Sequence, residues 1–120
     1  RIYVSAAQDI APFAASNPDP ADNETDVALS PALYWDGGDA NGDSDNVTYT
    51  VYMDSGNCSQ AVDPVTQKGS FTEKGGVIRL QFTVQNLTKL TCYYWKIKAE
   101  DTDNNTTMGP VWKFKTMNCK

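Results

Sequence analysis

Apolar and polar residues alternate with a period of two along several segments of the chain. This alternation is typical of β-strands that bury one face and leave the other in solvent. In residues 78–85, the apolar positions are Ile78, Leu80, Phe82 and Val84, and the residues between them are polar. The pattern predicts main strands at residues 27–35, 47–53, 78–85, 92–100 and 111–116, and weaker ones at 62–66, 70–72 and Ile2–Val4.

The first main strand is expected to begin late, near Ala32, because Pro31 has no N–H to donate to a strand ladder. Segments rich in Gly, Asn, Asp and Pro separate the strands, at residues 17–26, 36–46, 54–57, 73–76 and 101–110. Short antiparallel strands with one apolar face each pack as two layers. The chain is therefore predicted to be an all-β, antiparallel two-sheet sandwich, and its 120 residues fit one domain.

The composition excludes several kinds of site. The chain has no histidine, which rules out Ser-His-Asp triads, Cys-His pairs and His-ligated zinc. Its net charge of −5 does not favour nucleic-acid binding, and no apolar run reaches the roughly 18 residues of a membrane span. No pattern supplies an apolar pocket that would separate the pKa values of two carboxyl groups for acid–base catalysis. We therefore expect that the protein is not an enzyme.

The charges divide unevenly along the chain. Residues 1–63 contain eleven acidic residues and one basic residue, whereas residues 64–120 contain four acidic and nine basic ones. A half of about 60 residues would be only marginally stable alone. We therefore expect one fold that carries an acidic surface and a basic surface.

Three segments resemble the fibronectin type III-like domains of microbial secreted and cell-surface proteins. They are NPDPADNETDVALSPALYW (17–35), VTYTVYMD (47–54) and NLTKLTCYYWKIKAEDTDNNTTMGPVWKFKT (86–116). The resemblance implies an immunoglobulin-like sandwich of about seven strands over residues 17–120, with residues 1–16 as a linker or an extra strand. It also implies that Trp35 lies in the core and that Leu87 and Tyr93 form a tyrosine corner, in which the Tyr93 hydroxyl meets nearby backbone.

The same resemblance implies a function without catalysis. It predicts a spacer or binding module of a larger exported or cell-surface protein, with the neighbouring domains of that protein as its partners. A fold of this kind supports many functions, so the function has to be sought in individual sites.

The first candidate site is acidic. In this fold residues 36–46 and 100–105 lie at one pole, and alternating oxygen ligands are what calcium requires. An EF-hand is excluded because its twelfth loop position, counted from Asp39, is Thr50. The alternative is a solvated turn without metal. Calcium is the one cofactor considered, as the basis of a stiffened interdomain linker, and its candidate ligands are Asp36, Asp39, Asn41, Asp43, Asp45, Asp101 and Asp103.

The second candidate site is the outer face of the third, sixth and seventh strands. Exposed tyrosines beside lysines can stack a sugar or hold an anionic polymer, which would make the chain a carbohydrate-binding or adhesion module with a glycan or surface protein as partner. The alternative is a solvated face whose lysine stems cover apolar surface. The candidate residues are Tyr52, Tyr94, Lys96, Lys98, Lys113 and Lys115.

The three cysteines are predicted to lie at the pole opposite the acidic loops. The third strand ends near Cys58, the sixth begins at Cys92 and the seventh ends near Cys119. A disulfide of Cys92 with either Cys119 or Cys58 is possible, and the sequence leaves both open. Such a bridge favours an extracellular or cell-surface location.

Overall fold

Nine β-strands and no α-helix form in the residues that this computed structural model describes, which are 11–40, 42 and 45–118. The predicted strand Ile2–Val4, together with Asn41, Asp43 and Cys119, lies outside these residues. The strands are β1 (Ser16–Asp19), β2 (Glu24–Val27), β3 (Ala32–Asp36), β4 (Asn46–Gly56), β5 (Gln67–Lys74), β6 (Arg79–Thr83), β7 (Cys92–Asp101), β8 (Thr106–Met108) and β9 (Trp112–Thr116).

The strands form two sheets. One has the order β1-β3-β6, and the other has the order β2-β9-β7-β4-β5, with β8 paired to β7. Every pairing is antiparallel except that of β2 with β9, which is parallel. The predicted two-sheet, immunoglobulin-like sandwich is confirmed. The described residues have more strands than the seven or so expected, because the N-terminal segment crosses from one sheet (β1) to the other (β2) and β8 is a short addition.

The strand predictions hold where the apolar alternation is strong. Strand β3 begins at Ala32, as Pro31 required, and β7 and β9 begin within one residue of their predicted starts. The weak strand predicted at 62–66 is wrong, because residues 57–66 form a loop and the edge strand is β5. Ile78 was predicted to point inward but is 47% exposed, because it precedes β6 and lies beyond the end of the core.

Aromatic rings fill the space between the sheets. Trp35 of the three-stranded sheet and Trp95 of the larger sheet are fully buried, with ring centroids 6.3 Å apart in an edge-to-face arrangement. Trp35 also meets Tyr49 at 6.0 Å, and Trp95 meets Trp112 at 4.8 Å. The prediction that Trp35 lies in the core is confirmed.

The predicted contact of Tyr93 is also confirmed. The backbone N–H of Thr88 donates a 2.8 Å hydrogen bond to the Tyr93 hydroxyl, and Leu87 packs against the core from the same segment. This contact joins the connection between β6 and β7 to the larger sheet, as in a tyrosine corner.

The length of β4 separates two poles. Its eleven residues run from one end, which carries residues 36–40, 45 and 101–105 and which we name the acidic pole, to the other. That other end carries Cys58 and Cys92, and we name it the disulfide pole. At the acidic pole the Phe13 N–H donates to the Gly38 carbonyl, and at the disulfide pole the Met117 N–H donates to the Val27 carbonyl. The described chain therefore enters at one pole and leaves at the other.

We predict that Tyr93→Phe lowers the free energy of unfolding by about 1–2 kcal/mol, because the half-buried Thr88 N–H loses its acceptor. Urea denaturation measures this loss. Tyr34→Phe is the matched control, since the Tyr34 ring contributes a contact with Arg79 that phenylalanine retains. Equal effects of the two substitutions would contradict the assigned role of the Tyr93 hydroxyl.

Candidate functional site

Three carboxylates converge at the acidic pole. One oxygen each from Asp39, Asp45 and Asp101 lies within 4.8 Å of the others, and the three residues are 4%, 8% and 4% exposed. Like charges that are this close and shielded from water repel one another unless a cation or a proton neutralises them. We name this group the acidic cluster.

Backbone hydrogen bonds hold two members of the acidic cluster in place. The Asp39 N–H donates to the Gly75 carbonyl at 2.9 Å, and the Gly75 N–H donates to the Asp45 carbonyl at 2.8 Å. The Thr102 hydroxyl donates to the Asp45 carboxylate, which links the loop before β4 to the turn after β7. The turn at Gly75, which is distant in sequence, thus holds Asp39 and Asp45 close together.

Asp101 shapes the turn between β7 and β8. Its carboxylate accepts 2.9 Å hydrogen bonds from the N–H groups of Asp103 and Asn105, and one of 3.2 Å from the Asn105 side chain. An aspartate that accepts bonds from the backbone two and four residues later is a common turn former. These bonds give Asp101 a structural role whether or not a cation is bound.

The other predicted metal ligands are placed differently. Asp36 lies outside the acidic cluster, where hydrogen bonds from the Asn17 side chain at 2.7 Å and from Arg79 at 3.0 Å hold the pKa of its carboxyl below its usual value. Asp103 is exposed and contributes its backbone N–H to Asp101. The Asp36 carboxylate thus bonds to Asn17 and Arg79 and the Asp103 side chain is exposed, so the structure groups neither with Asp39, Asp45 and Asp101.

A buried phenol lies beside the acidic cluster. The Tyr49 hydroxyl accepts a 2.7 Å hydrogen bond from the Gly38 N–H. Burial raises the pKa of Tyr49, the bond from Gly38 works against this, and the charges of Asp39 and Glu73 add to the rise. The phenol is therefore neutral and ties the centre of β4 to the loop that carries Asp39.

The outer sheet face is not the open aromatic surface that the sequence predicted. Tyr94 is only 4% exposed, and its hydroxyl lies 2.6 Å from the carbonyl oxygens of both Asn57 and Gln60, which share its one proton. The prediction of an exposed Tyr94 is wrong, because the loop that follows β4, at residues 57–66, covers the ring. Tyr52 remains half-buried, with the Lys96 ammonium 5.8 Å from its ring centroid.

That covering loop, residues 57–66, is fixed to the sheet at several points. The disulfide joins Cys58 to Cys92, which selects one of the two pairings that the sequence left open. Lys113 Nζ donates to the Cys58 carbonyl at 3.1 Å, and Lys96 forms a 2.6 Å ion pair with Asp63. Two of the predicted ligand-binding lysines therefore hold the loop, while Lys98 and Lys115 are half-buried on the same face.

Asp54 fixes the far end of the same loop. One oxygen of its carboxylate accepts hydrogen bonds from the Val65 N–H at 2.6 Å and the Thr66 N–H at 3.1 Å. A hydrogen bond from the Thr66 side chain has the largest effect on the pKa of Asp54, and together with the backbone bonds and the charge of Lys68 it lowers that pKa against the opposing effect of burial.

The fixed loop borders a concavity that sequence reasoning did not predict, although two of the predicted ligand-binding residues, Tyr94 and Lys113, line it. We name it the Lys113 trough. It has a volume of about 580 Å³ and lies against the start of β9, and its lining includes Asn23, Gln60, Val62, Asp63, Val111 and Lys113. Cys58 was the one signal in the sequence that pointed to this loop, because a disulfide to β7 brings the residues after β4 back over the sheet.

Comparison with known proteins supports the fold. No family model matches the chain, and no curated relative matches it. Among solved structures, the chain is similar to part of the α-L-rhamnosidase from Dictyoglumus thermophilum, with a TM-score of 0.60, 17% identity, and coverage of 91% of this chain and 12% of that one. At this identity the likeness shows the fold alone, and the chain spans a small part of that enzyme's length.

A second solved structure is the sensor domain of the anti-sigma factor RsgI4 in Pseudobacteroides cellulosolvens. It shares 17% identity, covers 92% of this chain and 94% of its own, and has a TM-score of 0.44. Both structures come from larger proteins. Separately, no helix in the described residues is long and apolar enough to cross a membrane.

We predict that Asp54→Asn reduces the free energy of unfolding by about 1 kcal/mol at neutral pH, where the charge of Asp54 strengthens two hydrogen bonds partly screened by solvent. Because the pKa of Asp54 is lower in the folded state than its usual 3.8, its contribution is fully present above that value and is lost as the pH falls through the folded pKa.

Urea denaturation between neutral pH and pH 2 tests this prediction. The stability difference between the wild type and Asp54→Asn should shrink toward the acid end of the series. Asp103→Asn, which changes an exposed aspartate in a distant turn, serves as the control. A difference for Asp54→Asn that stays constant with pH would contradict the prediction.

Proposed function

We propose that the chain is a noncatalytic module of a larger exported or cell-surface protein, and that it acts as a spacer that holds its neighbours at a fixed separation. The observation that carries this proposal is the position of the two ends of the described chain, at residues 11 and 118. Pro12 and Phe13 are bonded to the acidic pole and residues 116–117 to the disulfide pole. The eleven residues of β4 separate the poles by about 35 Å.

The disulfide supports an exported location. A Cys58–Cys92 bridge persists in an oxidising compartment such as the cell exterior. The carboxylates at the acidic pole support the absence of catalysis, because Asp101 accepts bonds from its own turn and Asp45 accepts one from Thr102. A set of acids already used to shape turns is poorly arranged to move protons on a substrate.

The spacer role can be tested by inserting the chain between two folded reporter domains. Small-angle scattering should then give an elongated particle in which the reporters are separated by at least one sandwich length, because the described chain enters at one pole and leaves at the other. A flexible Gly/Ser linker of the same number of residues is the control, since its ends sample a broad range of distances. A particle in which the two reporters lie side by side would contradict the spacer role.

A second proposal is that calcium binds at the acidic pole and stiffens it. The burial of three carboxylates within 4.8 Å favours this proposal, since calcium is bound by carboxylate oxygens, carbonyls and water. The acidic cluster also adjoins the entering chain, because the Phe13 N–H bonds to Gly38, the residue before Asp39. A bound cation would therefore hold the loop that anchors the segment before β1.

We predict that calcium raises the melting temperature of the wild type. At a concentration about ten times a millimolar Kd, the expected gain in the free energy of unfolding is about 1.4 kcal/mol. In EDTA, Asp45→Asn should be at least as stable as the wild type, because it removes one repelling charge and its amide oxygen can still accept the bond from Thr102. Calcium should stabilise this variant less than the wild type.

Thermal unfolding and isothermal titration calorimetry measure both effects. Asp103→Asn is the control, because its side chain is exposed outside the acidic cluster, and it should respond to calcium as the wild type does. No heat of binding and no thermal shift at millimolar calcium would overturn the calcium proposal and leave the spacer role unaffected.

A further inference from the structure

Covalent and hydrogen bonds hold both sides of the Lys113 trough in place, which distinguishes it from an incidental surface depression. On one side, the loop at residues 57–63 is held by the disulfide, by the Tyr94 hydroxyl and by the Lys96–Asp63 ion pair. Gly56 allows that loop to fold back closely, because a Cβ at this position would lie 2.6 Å from the Val62 side chain.

The opposite side is held by β9 itself. The Lys113 N–H donates to the Asp22 carboxylate at 2.9 Å, and the Asn23 N–H donates to the Lys113 carbonyl at 2.6 Å. Both sides of the trough are thus positioned without a ligand, so binding would require little ordering of the protein.

The polar lining offers donors and acceptors together. Lys113 keeps donors beyond its bond to the Cys58 carbonyl, and Asp63 keeps an oxygen beyond its ion pair with Lys96. The amide side chains of Asn23 and Gln60 supply both donors and acceptors. One basic and one acidic side chain line the same space, so a positively charged ligand and a negatively charged ligand would each meet a like charge there. A neutral ligand rich in hydroxyl groups, each of which donates and accepts, matches this lining.

The apolar lining is suited to the same kind of ligand. Val62 and Val111 line the trough, and Val111 is 39% exposed with part of its side chain open to solvent. A sugar ring has apolar C–H faces as well as hydroxyl groups, and a volume of about 580 Å³ lies within the usual range for small-ligand sites.

From these features we infer that the Lys113 trough binds a neutral mono- or disaccharide. The inference is independent of the spacer role, since it depends on the side of the sandwich and not on its two ends. The trough differs from the open sheet face that was predicted to bind a glycan, although Tyr94 and Lys113 of that face line it. Tyr94 is only 4% exposed, because the loop covers it and its hydroxyl bonds to Asn57 and Gln60.

The test is a titration of the ¹⁵N-labelled chain followed by two-dimensional NMR. The probes are D-glucose, D-galactose, D-mannose, D-xylose and cellobiose, each added to about 50 mM, well above a millimolar Kd. At least one sugar should shift the amide signals of residues 58–63, Asn23 and residues 111–113 in a saturable manner, and leave the signals of the acidic pole unchanged.

Two substitutions locate the binding. Val111→Arg places a long charged side chain in the trough and should weaken binding at least about tenfold, and Gln60→Ala removes one polar partner and should weaken it less. Val77→Arg is the matched control, because Val77 is 38% exposed and lies beside β6, away from the trough. It should bind as the wild type does.

The spectra of each variant show whether it is folded. If Val111→Arg unfolds, Gln60→Ala still tests the site. Saturable shifts that Gln60→Ala weakens and Val77→Arg leaves intact would support the site. The inference is overturned if no sugar produces saturable shifts, if the shifts lie outside the trough, or if Gln60→Ala and Val111→Arg bind as tightly as the wild type.

Discussion

The contact between Trp35 and Trp95 across the two sheets is the interaction on which the rest of this structure depends. Each ring is fully buried, and each belongs to a different sheet. Rings of this size contribute several kcal/mol when buried and pack well in few orientations, so their contact fixes how the sheets lie on each other. The acidic cluster depends on that alignment, because Asp39 follows β3 of one sheet, whereas Asp45 precedes β4 and Asp101 ends β7 of the other.

The local sequence pattern was sufficient to predict which side chains lie in the core, but it did not predict which loops cover the surface. Alternation placed Trp35, Trp95 and Phe114 inside correctly, because the direction of a side chain in a strand follows from its parity. The same rule assigned Tyr94 to the outer face, which is correct, but parity cannot reveal that a loop more than thirty residues earlier covers that face. The trough followed from the same non-local contact and was missed for the same reason.

The acidic pole illustrates the same limit with charged residues. The spacing of the aspartates predicted a group of oxygen ligands, and three of them do converge. Asp36 departs because Arg79, which is 43 residues away in sequence, lies across the strand ladder from it. The cysteine pairing was decided in a similar way, since the register of β4 on β7 sets Gly56 opposite Cys92 and so brings Cys58 within bonding distance. The net charge of −5 conceals these separate environments.

The parallel pairing of β2 with β9 has a mechanical consequence. Strand β9 lies next to the leaving end of the described chain, whereas β2 is joined to the entering end through β1, and these two ends lie at opposite poles. A force that pulls the ends apart acts along the two strands in opposite directions and loads their hydrogen bonds in shear, so that the bonds must break together. Tension applied through neighbouring domains would therefore act first on the pairing of β1 with β3 and, once β1 is detached, on the sheared pairing of β2 with β9.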